Sequence, residues 1–400
     1  MASIIRWARA LTRTAPLVPL RFPASGFTIV DKSVLLEEEN LEGFSSGQYF
    51  PVNIGDVYVS KYQVLGKLGF GTTSTVWLAR NLASHSHVAL KVYTKDSGCR
   101  DEFQTLKAIG SANTSHPGHR GVQTALDLFK LKGPQDDHYC LVLNPMWESW
   151  KHLLRRNDSG RFSVDLLKAG LRHLFRALDY LHTEYIKADN ILHDIVDKKL
   201  LSKFIRAELN SPSDRKVVNG TTVYASRTFD LPRKFGEPVL CDFGSAVKGD
   251  VKRNHDAQPA VYRSPEVMIK TGWSYPVDIW NVGVMIWDIF QGRHLFYGQD
   301  AIKKTYTTRA HLAEVVAVLG PPPLDFLQRG IRSREFFSEE GKWIASVDVP
   351  PQTNLENCVA FLEGDEKAAF LNLVRGMLQW RPEDRKTAKE LTQDPWINRP

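Results

Sequence analysis

From Lys61 to Tyr93 the chain runs as three short apolar segments rich in Val, Leu, Tyr and Trp, with a glycine turn between the first two. This pattern predicts three strands of an antiparallel sheet. Between Arg100 and Ile109 the apolar residues Phe103, Leu106 and Ile109 return at helical spacing, so one helix leans on that sheet. The loop-forming run Gly110 to Gly121 follows, then strand candidates around Ala125–Leu131 and Tyr139–Leu143, until Asn144-Pro145 breaks the pattern at an expected hinge. Beyond it the periodicity turns helical. In Phe162–His182, Val164, Leu167, Leu171, Leu174, Phe175, Leu178 and Leu181 mark one stripe to be buried. Further helices start near Tyr275 and Thr308, Pro321–Pro323 interrupts them, and Leu371–Leu378 with Ala388–Leu391 closes the series. The polar stretch His193–Glu237, with its Asn219-Gly220 turn, reads as an insertion with little core of its own. A sheet lobe followed by a helical lobe makes the fold class α+β.

Composition narrows the function classes. The 400 residues are 42% apolar and 24% charged, which excludes a collagen, a disordered chain or a disulfide-built miniprotein. No apolar stretch reaches the roughly 18 residues of a membrane span, since Val277–Phe290 is interrupted by Asp278 and Asp288. Cys99, Cys140, Cys241 and Cys358 lie far apart without paired spacing, so neither a zinc site nor a disulfide framework is indicated, and a reducing compartment is expected. The net charge of +7 comes from 52 basic and 45 acidic residues that are interspersed, which gives no footprint for nucleic acid. Residues 1–30 are the exception: Arg6, Arg9, Arg13 and Arg21 precede the first acid, Asp31. That terminus reads either as a mitochondrial presequence or as a basic tail.

Several short motifs carry candidate chemistry. Leu68-Gly69-Phe70-Gly71-Thr72-Thr73-Ser74-Thr75-Val76 puts two glycines in a turn followed by a strand, where backbone N–H groups can approach phosphate oxygens. Val88-Ala89-Leu90-Lys91 follows at a distance suiting the next strand, with Lys91 available for phosphate and Glu102 on the next helix to orient it. Asp242-Phe243-Gly244 comes after the apolar Val239-Leu240-Cys241, so its carboxylate emerges at a strand end, where a magnesium ion could sit. Ile186-Lys187-Ala188-Asp189-Asn190 offers a second metal ligand, Asn190, and a cation, Lys187, for a transferring phosphoryl group. Taken singly, each of these also fits a hairpin, a surface ion pair, a turn or a helix end.

With Tyr262-Arg263-Ser264-Pro265-Glu266, Asp278-Ile279-Trp280-Asn281-Val282-Gly283 and Arg381-Pro382-Glu383-Asp384-Arg385, in this order, the set resembles the protein kinase signature. Within it, Gly55-Asp56, Ser74–Leu78, Ile186–Leu192 and Tyr262–Val267 look like the SR-protein kinase family in its fungal form. The resemblance implies a bilobal protein kinase-like fold, an antiparallel β N-lobe with one main helix and a mainly α-helical C-lobe. The expected divisions are a tail (1–30), an extension (31–61) and a kinase domain (62–396). That domain would comprise an N-lobe (62–143), a hinge (144–147) and a C-lobe (148–396) with an insertion (193–237). It further implies ATP and magnesium as cofactors. The glycine turn Leu68–Val76 would cover ATP, with Ala89, Leu143, Asn144 and Met146 around the adenine. Lys91 would contact phosphates and pair with Glu102, and Asn190 and Asp242 would hold the metal. Glu266 and Arg385 would form a bracing ion pair, and Asp278 would anchor the catalytic loop. The implied activity is transfer of the ATP γ-phosphate to Ser or Thr of arginine/serine-rich splicing factors, by a monomer in cytoplasm and nucleus, or in the mitochondrion if the presequence reading holds. Direct nucleic-acid or membrane binding is not expected.

Two departures open a second reading. The family carries His-x-Asp before the lysine, the Asp accepting the substrate proton, whereas here Leu181-His182-Thr183-Glu184-Tyr185 runs straight into Ile186-Lys187. Tyr185 takes the position of the base, and Glu184 is the nearest carboxylate. The alternative function is therefore a pseudokinase that binds ATP and acts as scaffold or regulator. Secondly, where the family lines a docking groove with acids, Lys303, Lys304, Arg309, Ala310 and Ala317 appear, with Asp300 and Glu314 nearby, so basic substrates should dock more weakly.

Overall fold

The computed structural model describes residues 15–95, 97–133, 136–184, 190–244, 246, 251–351 and 353–399, without the side chains of 182–184 and 190. The strands that matter below are β1 (Val57–Tyr58), β2 (Tyr62–Gly71), β3 (Ser74–Asn81), β4 (His87–Tyr93), β5 (Ala125–Lys132), β6 (Asp137–Leu143), β7 (Arg215–Val218), β8 (Thr221–Tyr224) and β9 (Pro238–Cys241). The long helices are α1 (Cys99–Ser111), α2 (Val164–Glu184), α3 (Lys199–Asn210), α4 (Pro276–Ile286), α5 (Thr308–Leu319) and α6 (Gly364–Arg375). The chain forms two units: 1–110, 123–148 and 193–236 make the first, and 111–122, 149–192 and 237–400 the second.

The first unit is built on an antiparallel sheet in the order β1-β2-β3-β4-β6-β5. Strand period 2 sorts its faces. On β4, Val88, Leu90 and Val92 enter a core with Val64, Trp77, Ala79 and Val142, which leaves Ala89, Lys91 and Tyr93 on the opposite face. The described part of the basic terminus is not a loose tail. Leu17 N–H donates to the Leu82 carbonyl at 2.8 Å, and Leu20 exchanges hydrogen bonds with the Gln63 amide at 2.8 and 2.7 Å. Residues 1–14 lie outside the described residues.

The insertion departs from its sequence reading in having a core of its own. Helix α3 buries Leu200, Leu201 and Phe204, and the Phe204 ring lies so close to β2 that a Cβ on Gly66 would meet it at 2.7 Å. Its hairpin turns on Asn219 and Gly220, both at positive φ, the conformation that two-residue hairpin loops need. Tyr224 of β8 joins the sheet core edge-on to Trp77, 5.7 Å between ring centres. Polar residues conceal this, because several are buried in ion pairs. Fully buried Glu208 accepts from Ser213 and Arg227. Lys67 of β2, also fully buried, lies 2.7 Å from Glu37, bonds Glu38, and donates to the Tyr224 carbonyl at 2.9 Å. The acidic run 37–39 thereby fastens the N-terminal extension to both sheet and insertion, with Ser226 donating to Glu37 and Lys216 lying 2.8 Å from Glu39.

The second unit is mainly helical. Its α2 stripe is buried as the spacing predicts, Leu167, Leu171 and Phe175 being fully inaccessible. Helix α4 is buried nearly all round, so it lacks a polar face; Gly283 lets Leu378 approach to where a Cβ would meet it at 2.8 Å. The expected Glu266–Arg385 pair forms as a bidentate bridge at 2.6 and 2.7 Å, both side chains buried, with Arg385 also over the Trp280 ring. None of the described helices is long and apolar enough to cross a membrane.

Candidate functional site

In the first unit, the glycine turn is the hairpin between β2 and β3, with Gly71 opposite Ser74, Phe70 opposite Thr75 and Gly69 opposite Val76. A Cβ added at Gly69 or Gly71 would meet nothing within 4 Å, so the bare backbone there leaves room for a ligand. Thr72 and Thr73 are exposed at the tip, while Ser74 and Thr75 are buried and Leu68 and Val76 half-buried. The turn is tied at both shoulders. Thr94 donates N–H and hydroxyl to the Thr73 carbonyl at 2.8 and 3.2 Å, and the Tyr49 hydroxyl donates to the Gly71 carbonyl at 2.8 Å.

Lys91 sits on β4 opposite Val76. Its ammonium donates to both oxygens of Glu102 on α1, at 2.9 and 3.0 Å, with Glu102 buried and Lys91 13% exposed. The sequence expectation for this pair is met. A third member, Tyr93, was not among the sequence candidates: its hydroxyl donates to Glu102 Oε2, and the Lys91 ammonium lies 5.0 Å from its ring centre. The signal for it was an aromatic two residues past the lysine, hence on the same strand face. Burial pushes the nearby Cys99 thiol up to about 12, so it offers no thiolate beside the lysine at neutral pH.

On the side expected to receive adenine, Ala89 is buried opposite Leu78 on one flank and Leu143 on the other. Leu143 is buried, Asn144 exposed and Met146 half-buried. The Asn144 carbonyl already accepts from Gln123 Nε2 at 3.2 Å, which leaves one lone pair of that oxygen for another donor.

In the second unit, Asp242 follows β9 and is exposed, and the next residue, Phe243, is buried. Asp242 has φ +63°, the left-handed region that costs a non-glycine residue strain. Such strain clusters at functional positions, where the surroundings impose it to aim a side chain. Asn190 opens the strand Asn190–Asp194, but its side chain is outside the description, as are Tyr185 and Lys187 entirely. Helix α2 runs on to Glu184, whose side chain likewise is not described. Asp278 is buried near the start of α4, and the loop it was expected to anchor falls on 185–189. Among the described residues no group of three or more His, Cys, Asp or Glu gathers as a metal site.

The acids expected near the docking face are engaged internally. Asp300, fully buried, accepts from Arg309 at 2.7 Å, from Thr307, and from the N–H groups of Ile302 and Lys303; these bonds, Arg309 foremost, hold its carboxyl well below the usual range. Glu314 accepts from the N–H groups of Tyr297 and Gly298 at 2.7 and 3.0 Å, while burial raises its pKa.

The protein kinase domain model matches residues 62–227 and 231–397. The chain belongs to the protein kinase family. A serine/threonine protein kinase of Aspergillus fumigatus is 41% identical over 390 residues, covering 96% of both chains. The serine/threonine-protein kinase SRPK of Physarum polycephalum is 27% identical over 395 residues, covering 90% of this chain and 91% of its own. A kinase domain known from a crystal structure superposes with a TM-score of 0.66 at 20% identity, over 88% of this chain and 99% of that one, and shows the fold. Family and relatives together support serine/threonine kinase activity, with SR-protein kinases as distant kin.

Proposed function

We propose that this chain binds magnesium-ATP and transfers the γ-phosphate to Ser or Thr of protein substrates in the manner of SR-protein kinases. The observation that carries the reading is the Lys91–Glu102 pair, its carboxylate buried, beside an open glycine turn, in a chain the kinase model matches over most of its length. ATP would supply the phosphoryl group, and magnesium, when bound, would neutralise its charge; the bond to the β-phosphate oxygen would break with ADP leaving, as the substrate oxygen bonds phosphorus and gives up its hydroxyl proton. The residues present fit that group. Backbone at Gly69 and Gly71 is uncluttered where phosphates must approach, and Lys91 is fixed as a point cation for them. Asp242, and by family position Asn190, would hold the metal, while Ala89 and Leu143 form an apolar floor for a base. The arginine/serine-rich substrate class rests on likeness to SR-protein kinases. With Asp300 and Glu314 engaged internally, docking through arginines at that face is expected to be weak.

The second reading, a nucleotide-binding pseudokinase, is favoured by Tyr185 standing where the family has its base. A phenol, with an ordinary pKa of about 10, is a poor proton acceptor at neutral pH. The test is purified full-length chain with magnesium and γ-labelled ATP, offered an arginine/serine-rich peptide, alongside an Asp242→Ala control and calorimetry of nucleotide binding. Transfer above the control supports the kinase. Binding without transfer supports the pseudokinase, and absence of binding overturns both.

A further inference from the structure

We propose that Tyr93 is a positioning residue that, with Glu102, cages the Lys91 ammonium in its phosphate-gripping place before nucleotide arrives. This deepens the reading above and rests on it. Lys91 and Tyr93 are two residues apart on β4 and so share a face, opposite Val76 and Ser74, the first residues after the glycine turn. A lysine side chain is a flexible four-carbon stem with a compact charge, and left alone it samples many rotamers. Here contacts within the described residues limit it. Both Glu102 oxygens accept from it at 2.9 and 3.0 Å, and the Tyr93 ring faces the ammonium at 5.0 Å, a cation–π distance. The Tyr93 hydroxyl closes the cage by donating to Glu102 Oε2, the same oxygen that takes one of the lysine's bonds.

This second donor matters because Glu102 belongs to a different element. Helix α1 meets the sheet through a carboxylate that is buried, and a carboxylate out of water needs its lone pairs filled. With Lys91 as sole donor, any drift of the lysine towards a phosphate would leave Glu102 less satisfied and would loosen the helix from the strand. Tyr93 removes that conflict. It keeps one oxygen bonded from a rigid, buried ring, 3% exposed, whose own backbone carbonyl is met by His138 Nδ1 at 2.9 Å. The strand is anchored further by Thr94, which bonds the turn at Thr73. Lys91 can then shift between carboxylate and phosphate without the helix moving, so its ordering cost is met before binding.

The test uses full-length wild type, Tyr93→Phe, which deletes the donor but keeps the ring, Tyr93→Leu, which deletes both, and Glu102→Gln with and without Tyr93→Phe. Affinity for magnesium-ATP is read by calorimetry, with hydrogen exchange of the α1 amides and the melting temperature of nucleotide-free protein alongside. Tyr93→Phe is expected to weaken binding on the order of tenfold, the loss of one hydrogen bond to a charged group, and to speed exchange in the first turns of α1. Tyr93→Leu should weaken binding further. Because Tyr93 acts through Glu102, Tyr93→Phe should add nothing in the Glu102→Gln background, whereas a general packing role would give additive losses. Wild-type affinity in Tyr93→Phe, unchanged α1 exchange, or additivity overturns the proposal alone. A wild-type chain that binds no nucleotide overturns it together with the reading on which it rests.

Discussion

His311 makes the second unit acid-sensitive, and the size of the effect follows from its surroundings. It lies on α5, wholly buried, between the rings of Phe296 and Tyr306, whose hydroxyl meets Nδ1 at 3.0 Å. Burial is the main reason its pKa falls from 6.5 to about 3, and the nearby Arg263 adds to it. The folded state thus holds it neutral, while in the unfolded chain it takes up a proton below about 6.5. Between those values the unfolded state binds more protons, so stability rises with pH and is lost as pH falls through the window. Each pH unit is worth about 1.4 kcal/mol, so reaching pH 4.5 costs roughly 2.5–3 kcal/mol from this residue, and the whole window about 4–5 kcal/mol. That is a sizeable fraction of the about 5–15 kcal/mol typical of a domain. The measurement is urea unfolding at intervals from pH 7.5 to 4.5 for wild type and His311→Asn, which keeps a polar atom near the Nδ1 position but cannot titrate. His311→Asn should be less stable at neutral pH yet show a flatter dependence, the two curves converging as pH falls. The other titrating groups are common to both proteins and cancel in the difference. Parallel curves across pH 6.5–4.5 would refute the reasoning.

Two more outcomes follow from buried charge. Lys67→Met leaves Glu38 buried without its ammonium and should destabilise the first unit by about 3–5 kcal/mol. Burial already raises the Glu38 pKa against the pull of Lys67, so in the variant the carboxyl takes a proton more readily, and the loss in calorimetric melting should be smaller at pH 5 than at pH 8; an equal loss at both counts against this account. Arg385→Met strands the Glu266 carboxylate and should cost about 3–5 kcal/mol in the second unit, whereas Arg385→Met with Glu266→Gln should recover part of it. A double variant no better than the single would show that the packing of Arg385 on Trp280, rather than its charge, dominates.

The elements and much of the site were legible because their signals are local. The apolar strand segments in 61–93 and the α2 stripe are signals carried by near neighbours, and the structure follows them. Lys91 and Glu102 were named from motif spacing, and they meet. What was misread had a non-local cause. The insertion looked coreless because its polar residues are inside, satisfied by partners far along the chain: Glu37 meets Ser226 and Lys67 meets Tyr224. No sequence window contains both members of such a pair. Tyr49 and Gln123 were missed for the same reason, their bonds to Gly71 and Asn144 spanning about twenty residues.

The sequence by itself therefore determined the kinase fold, the order of its elements and the pairing of Lys91 with Glu102, since periodicity and motif chemistry are written residue by residue. Only the tertiary structure decided which charges are sheltered and what holds them. It placed Tyr93 on Glu102, Glu38 on Lys67, and Asp300 on Arg309. The physical reason is that burial and hydrogen-bond satisfaction belong to the assembled chain: whether a carboxylate faces water or an ammonium depends on which distant segment folds over it.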